Sequence, residues 1–533
     1  MLKKMFNYII GNKFTIAILI LYTLSMLSVI DWGIPNQNHP YNYHMDEWHQ
    51  LQSIKNLATQ GSPNIEGSAN GTIFHFLLSG IYLSPLIFIK IIDISQINSL
   101  IMQERLFEIL RIDTLIFGCL SILMLAILVK KFFKLNPVLP LILFTVTPLW
   151  LSLSNYFKYD IALVFWIIVS LFFLLRYGQK PTLNNYIMAG VFCALALATK
   201  ISALPLLLIY ILSFFYFNFD KNKKYKHLLA GLPVFAIIFL VFGIPDLILQ
   251  RGDYGEYFYS NLVRDQAIFD NFILEYNPWW AHILLKVLPL DFGYVFFGLF
   301  SISFLYWGIR LFPKIVKLKF KTFKNEIFLF VSMCIFIISL IPLELGANGN
   351  RLLVLLPFFA LFSSFFISKL IKKHFLYLTV FVILFAIQFF QSFIMIYIKW
   401  QHDPRELSSK WIFENINTES EIGIENIPIY QLLPDLIIKE FYSGLKNNKF
   451  KYKVINHESL SLPNIVIVTN KEFDIDHLKS SPKKSLITRL KEEGYKIKKE
   501  FKPPKILYSI MGNEFSFYSS GIVPIPTITI YSR

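Results

Sequence analysis

The sequence predicts a polytopic α-helical membrane protein that ends in a small soluble α/β domain. Three observations carry that expectation. Of 533 residues, 55% are hydrophobic and only 16% charged, too little polar surface to cover a soluble globule of this size. The apolar residues gather in runs of membrane-spanning length. After Trp400 the pattern changes to short alternating segments split by Pro, Asn and Lys-rich turns.

The first apolar run, 14–30, follows Lys3, Lys4 and Lys13 and has no small-residue cleavage site, so it is expected to remain as a first helix. Further runs lie at 108–129, 138–153, 161–175, 186–199, 201–217, 228–245, 283–309, 326–343, 352–370 and 375–399, about eleven helices in all. Ile73 to Ile92 is apolar for nearly a membrane width. Counting it as a span would put the later basic loops on the opposite side from Lys3 and Lys4, so it is expected to lie on the surface or re-enter.

The net charge of +16 does not imply nucleic acid, because Lys and Arg fall in short clusters between runs. Lys130–Lys134, Arg176–Lys180, Lys221–Lys226, Arg310–Lys324 and Lys369–Lys373 occupy alternate loops, which are expected to be cytoplasmic, as is the N-terminus. The outer side then receives loop 31–105, the loop Asp246–Trp280 and everything after Trp400. The expected division is a membrane domain over 1–400 and an extracytoplasmic α/β domain over 401–533. In the latter, WIFENIN reads as a helix and EIGIE, KYKVI, NIVIVTN and TITIYSR as strands. Cys119, Cys193 and Cys334 all sit in apolar runs, which signals neither a disulfide framework nor a zinc site.

The chemistry-bearing residues sit at the outer ends of the runs. Asp46 and Glu47 follow the first span. Arg111 and Asp113 open the second run, Asp160 the fourth, Lys200 ends the fifth, and Arg351 opens the tenth. Singly, each is explained by capping, snorkelling or interface anchoring. Together, acids and cations on one membrane face describe a site that binds an anion and activates a hydroxyl. His39, His44 and His49 lack H-E-x-x-H order, so a zinc protease is not supported. A divalent metal held with Asp46 or Glu47 is the one cofactor option, and no other cofactor is signalled.

These features occur in a fixed order: the acidic pair, Arg111 in RIDTLIFG, KYD at 158–160, ALATK at 196–200, PWW at 278–280 and RLLVLLPFFAL at 351–361. That order resembles the polyprenyl-phosphate-sugar-dependent glycosyltransferases of the GT-C superfamily, of the protein O-mannosyltransferase and lipid A aminoarabinose transferase type. DPRELSSKWIFENI at 403–416 looks like the outer domain of many bacterial members. One departure is GTIFHFLLSG, where the family commonly carries Pro-Pro.

The resemblance implies a hexosyl- or pentosyltransferase in a bacterial or archaeal cell membrane. Its donor is a polyprenyl-phosphate-linked sugar, and its acceptor a hydroxyl on protein, lipid or polysaccharide. Asp46 is then the general base, with Glu47 the runner-up, since neighbours on a helix point about 100° apart. Asp160 orients the acceptor or helps hold a cation. Arg111, Lys200 or Arg351 stabilises the leaving phosphate, and Trp279 stacks on sugar or belts the interface. The alternative is a transporter or flippase for a polyprenyl-linked or small anionic substrate, but transporters set sites at the midplane of repeated halves, and no repeat is present.

Overall fold

The computed structural model describes residues 12–36, 42–43, 45–60, 73–218, 225–244, 281, 283–316, 323–344, 349–372, 375–400, 403–424, 450–456, 458–469, 486–503, 505 and 527–533. Helix α1, Lys13–Leu27, starts where the Asn12 side chain accepts from the backbone N–H of Thr15, satisfying one orphan donor of the first turn. Helix α2, Met45–Gln60, carries the acidic pair, and α3, Phe74–Phe88, forms from the apolar stretch that was expected to lie on the surface or re-enter.

At 15 residues α3 is about 22 Å long, short of the roughly 30 Å of a bilayer core. It buries His75, Phe76, Ser79 and Leu83 while exposing Ile81 and Phe88. Ser79 donates to the Asp113 carboxylate at 2.8 Å, so the polar interruption faces protein.

Helix α4, Leu100–Phe133, has Ser99 as its N-cap and ends at Lys134, whose φ of 55° supplies the left-handed cap. It begins at Leu100, earlier than the apolar run suggests, so Arg111 and Asp113 lie within it and not at its mouth. Polar residues at its start had masked those turns.

The run 138–153 is not one span. It divides into α5, Val138–Thr145, and α6, Pro148–Leu153, because Pro148 has no N–H to continue the ladder and Thr147 before it is extended. Then come α7, Tyr159–Gln179; α8, Leu183–Thr199; α9, Leu204–Asn218; and α10, Tyr225–Phe242.

The run 283–309 is broken as well, into a π turn at Ile283–Val287, a short α11, Leu288–Phe292, and α12, Tyr294–Val316. Gly293 between them has φ +87°, a conformation that L side chains resist. Helices α13, Lys324–Glu344, α14, Leu356–Ile371, and α15, Phe375–Lys399, complete the membrane part.

Among the described residues six helices, beginning at Leu100, Tyr159, Tyr225, Tyr294, Arg351 and Leu376, are long and apolar enough to cross a membrane. Lys13–Leu27, Phe74–Phe88, Leu183–Thr199 and Ile201–Phe217 are apolar but shorter, so length alone does not reproduce the expected eleven. A large core of Leu, Ile and Phe runs through these helices, and residues such as Leu21, Leu208, Leu229, Leu305 and Phe312 remain exposed on the outside, the surface that lipid covers.

After α15 comes α16, Pro404–Asn415, capped by Asp403, and then a five-stranded sheet in the order β2-β1-β3-β5-β4. Its strands are β1 Glu421–Ile424, β2 Lys451–Val454, β3 Ile465–Thr469, β4 Lys496–Phe501 and β5 Ile528–Ser532. β1 runs parallel to β2 and β3, whereas β5 is antiparallel to β3 and β4.

Strand alternation splits the core in two. Ile467, Ile528 and Ile530 meet Ile412 of α16 and Ile416 just after it, while Val466, Val468 and Tyr531 meet Leu486 and Leu490 of α17, Leu486–Glu492. The lysine-rich β4 was not read as a strand from the sequence. It is an edge, where lysines block further pairing, and its exposed side chains hide the usual alternation.

Candidate active site

Glu47 and Arg111 form one buried unit beside the N-terminal third of α4. Arg111 donates from Nε to Glu47 Oε1 at 2.7 Å and from Nη2 to Oε2 at 2.8 Å, a two-pronged pairing of fork and carboxylate. Its Nη1 donates to the carbonyls of Ile30 and Trp32 at 2.6 and 2.7 Å. Glu47 Oε1 also accepts the backbone N–H of Phe157 at 2.8 Å. Side-chain exposure is 1% for Arg111 and 0% for Glu47, so the pair stands in low dielectric and ties the end of α1, the start of α2, α4 and the turn before α7 together.

A second charged cluster lies where α7 begins and α8 ends. Asp160, in the first turn of α7, receives Lys200 Nζ at 2.7 Å, and Lys158 Nζ stands 3.7 Å from its other oxygen. All three are buried. Lys200 caps α8 in an extended conformation that throws its side chain towards α7. Its ammonium also stands 5.1 Å from the Tyr159 ring centroid. Arg351, in the 3₁₀ turn Gly349–Leu355 ahead of α14, is within electrostatic reach of Lys200, adding a third cation to a group with one carboxylate.

The turn Asn155–Asp160 passes through both clusters. The Asn155 amide donates to the Val29 carbonyl at 2.7 Å, Phe157 donates its N–H to Glu47, and Asp160 follows. His75 of α3 stacks on Phe157 with centroids 5.2 Å apart and is 2% exposed, and among the described residues neither ring nitrogen has a hydrogen-bond partner.

A third assembly joins the stretch after α1 to the start of α16. Trp32 Nε1 donates to Asp403 Oδ2 at 3.1 Å, Arg405 pairs with Asp403 at 2.6 Å, and the Arg405 guanidinium lies 3.9 Å from the Tyr43 ring centroid. Lys399 Nζ stands 4.6 Å from the Trp32 ring and 5.2 Å from that of Tyr156.

Of the residues singled out from the sequence, Glu47 and Arg111 come together, and Asp160, Lys200 and Arg351 form the other group. Asp46 lies in the first turn of α2, with its side chain outside the described residues. Trp279, His39 and His44 also fall outside them. Among the described residues no three His, Cys, Asp or Glu side chains form a group with metal-site spacing.

Lys158, Lys399, Asp403 and Arg405 were not singled out. Lys158 stands next to a chosen motif residue and was legible in KYD. Asp403 and Arg405 sit in a polar stretch that reads as a solvated helix start.

Several long apolar helices around buried acids and cations define an integral membrane protein with a polar site at helix ends. Residues 94–245 match the family described as dolichyl-phosphate-mannose-protein mannosyltransferase. The matched segment holds Arg111, Asp160 and Lys200, and over it the chain is similar to that family. No curated protein matches the chain.

Among solved structures, the archaeal oligosaccharyltransferase AglB from Archaeoglobus fulgidus, in complex with an inhibitory peptide and a dolichol-phosphate, is similar at 14% identity with TM-score 0.45. The match covers 80% of this chain and 64% of that one. ArnT from Cupriavidus metallidurans bound to undecaprenyl phosphate is similar at 14% identity and TM-score 0.38, covering 67% of this chain and 59% of that one. The chain thus spans less than two thirds of the length of both.

Proposed function

We propose that the protein is a membrane glycosyltransferase that moves a sugar from a polyprenyl-phosphate donor to an acceptor hydroxyl at the outer membrane face. The observation that carries this reading is the family match over 94–245, which contains three of the charged groups chosen independently from the sequence. AglB and ArnT were solved with dolichol-phosphate and undecaprenyl phosphate, ligands of the chemical class that this donor leaves behind.

In this reading Asp46 takes the proton as the acceptor oxygen attacks the anomeric carbon. The bond from that carbon to the phosphate oxygen breaks, and polyprenyl phosphate leaves with inversion at the sugar. Glu47 is a poor alternative base, because its two oxygens already accept from Arg111 and Phe157. Arg111 is likewise committed through Nε, Nη1 and Nη2. In this reading Arg351 and Lys200 meet the growing phosphate charge. Asp160 orients Lys200 and the acceptor, and Trp279 offers a sugar-stacking face. The acceptor belongs to a protein, a lipid or a polysaccharide.

The same reading places the N-terminus in the cytoplasm, residues 1–400 in the membrane domain and residues 401–533 outside. Purified protein incubated with undecaprenyl phosphate carrying a radiolabelled sugar should release free undecaprenyl phosphate together with a labelled acceptor. Transport of the intact lipid across a vesicle without cleavage would replace the transferase reading with a transporter.

A further inference from the structure

A tether between a membrane domain and an outer domain needs only a solvated linker, yet the one after α15 is buried and charged. Asp403 and Arg405 are each 0% exposed. Asp403 Oδ1 accepts from the backbone N–H and Nε of Arg405, both at 2.9 Å, and Oδ2 accepts from Arg405 Nη2 at 2.6 Å and Trp32 Nε1 at 3.1 Å. Glu406, next in the helix, accepts from the Tyr43 hydroxyl at 3.1 Å and from the Asn36 amide at 3.2 Å. Burying an ion pair costs desolvation and adds little net stability, so such a pair is better explained by the arrangement it enforces.

That arrangement leads to the proposed base. Trp32, held by Asp403 through its ring nitrogen, gives its carbonyl to Arg111 at 2.7 Å, and the same Arg111 grips Glu47, the neighbour of Asp46 in α2. Tyr43, covered by Arg405, lies two residues before that helix and is fixed again by its N–H to the Gly33 carbonyl at 3.0 Å. Gly33 is required there: its φ is +67°, and a Cβ would sit 2.4 Å from the Tyr43 ring.

We propose that Asp403 and Arg405 are positioning residues for sugar transfer. The first turn of the C-terminal domain sets the Trp32–Tyr43 stretch and, through Arg111 and Glu47, the aim of the helix that carries Asp46. This inference rests on the glycosyltransferase reading with Asp46 as base. A base displaced by about 1 Å loses on the order of a hundredfold in rate, without a matching change in how the donor is held.

The test uses full-length Asp403→Asn, Asp403→Glu and Trp32→Phe proteins. It measures turnover of the sugar-carrying undecaprenyl phosphate that the wild type uses, and separately the binding of undecaprenyl phosphate alone. The expected result for Asp403→Asn is a fall in kcat of about tenfold or more per folded molecule, with donor KM and undecaprenyl phosphate affinity within about threefold of wild type. Asp403→Glu, which keeps the charge, should recover part of the loss. Trp32→Phe, which removes only the indole N–H bond and keeps a ring in place, should lower kcat in the same direction by less.

Unchanged kcat per folded molecule in the variants that fold overturns the proposal, as does a loss of undecaprenyl phosphate binding that accounts for the whole defect. Should Asp403→Asn fail to fold, Trp32→Phe decides alone: a wild-type kcat there overturns it. A wild type that binds undecaprenyl phosphate but cleaves no sugar from it removes the transferase reading, and this inference with it.

Discussion

Glu47 and Arg111, far apart in the chain, share two hydrogen bonds of 2.7 and 2.8 Å inside a site with almost no exposure. The pair divides the labour between two adjacent acids. Glu47 spends its oxygens on structure, and in the proposed reading Asp46 is the base.

Asp46→Asn should therefore abolish sugar transfer while yielding normal amounts of folded protein, since it removes a proton acceptor and preserves shape. Glu47→Gln should act differently, because it leaves the Arg111 guanidinium buried against a neutral partner. Loss of one member of such a pair costs about 3–5 kcal/mol, so the variant should melt earlier in detergent and give less folded protein. Thermal unfolding and turnover measured on the same preparations separate the two effects. Full stability in Glu47→Gln with no activity would transfer the role of base to Glu47.

Arg351→Ala should weaken donor use by roughly 10²-fold in kcat/KM, the effect of deleting one electrostatic contact to a developing charge. Arg351→Lys should restore only part, having lost the planar fork. Wild-type donor kinetics in Arg351→Ala and in Lys200→Ala would remove the phosphate assignment.

Lys55 of α2 provides a pH test outside the membrane spans. Burial lowers its pKa from 10.5 to about 8, and its ammonium has the Asn98 side-chain oxygen as a partner at 3.4 Å. Below about pH 8 the group is charged both folded and unfolded, so the cost of burial is felt in full. Between about 8 and 10.5 the unfolded chain binds the proton and the folded chain does not, so this group's contribution to stability rises with pH. Lys55→Met should raise the melting temperature at pH 7, and its advantage over wild type should shrink towards pH 10. An advantage independent of pH would mean that the gain comes from packing alone.

Glu414, exposed on α16, tests the topology. In a background with Cys119, Cys193 and Cys334 replaced by Ala, Glu414→Cys should react with a membrane-impermeant thiol reagent in intact cells. Labelling only after lysis would place the C-terminal domain in the cytoplasm and require one more or one fewer crossing than proposed.

Hydropathy marked most of the membrane helices, because lipid and core both select apolar side chains over the length of a span. It did not mark the interruptions. Pro148 is a chemical stop that apolar averaging hides, and the break at Gly293 depends on a φ angle that composition does not express. The site was partly legible for a similar reason. An ionised group at the end of an apolar run is costly enough to draw attention, which brought out Asp46, Glu47, Asp160, Lys200 and Arg351. That Glu47 belongs with Arg111 depends on packing between distant segments. Asp403 and Arg405 were not chosen as site residues because a charged helix start is ordinarily solvated, whereas here it packs against the rings of Trp32 and Tyr43.

Helix α4 has 34 residues, about 51 Å at 1.5 Å per residue, against roughly 30 Å of hydrocarbon. If Lys130 and Lys131 mark the inner boundary, some twenty residues of rise bring the outer boundary to the neighbourhood of Arg111. One unbroken rod then works as a depth gauge, fixing how far above the cytoplasmic surface the charged groups stand. The height of the reaction would be set by the protein and not by the bilayer. A thicker membrane would draw the site below the level of the lipid phosphates, and a thinner one would lift it clear of them, so activity in reconstituted vesicles should peak at one acyl-chain length.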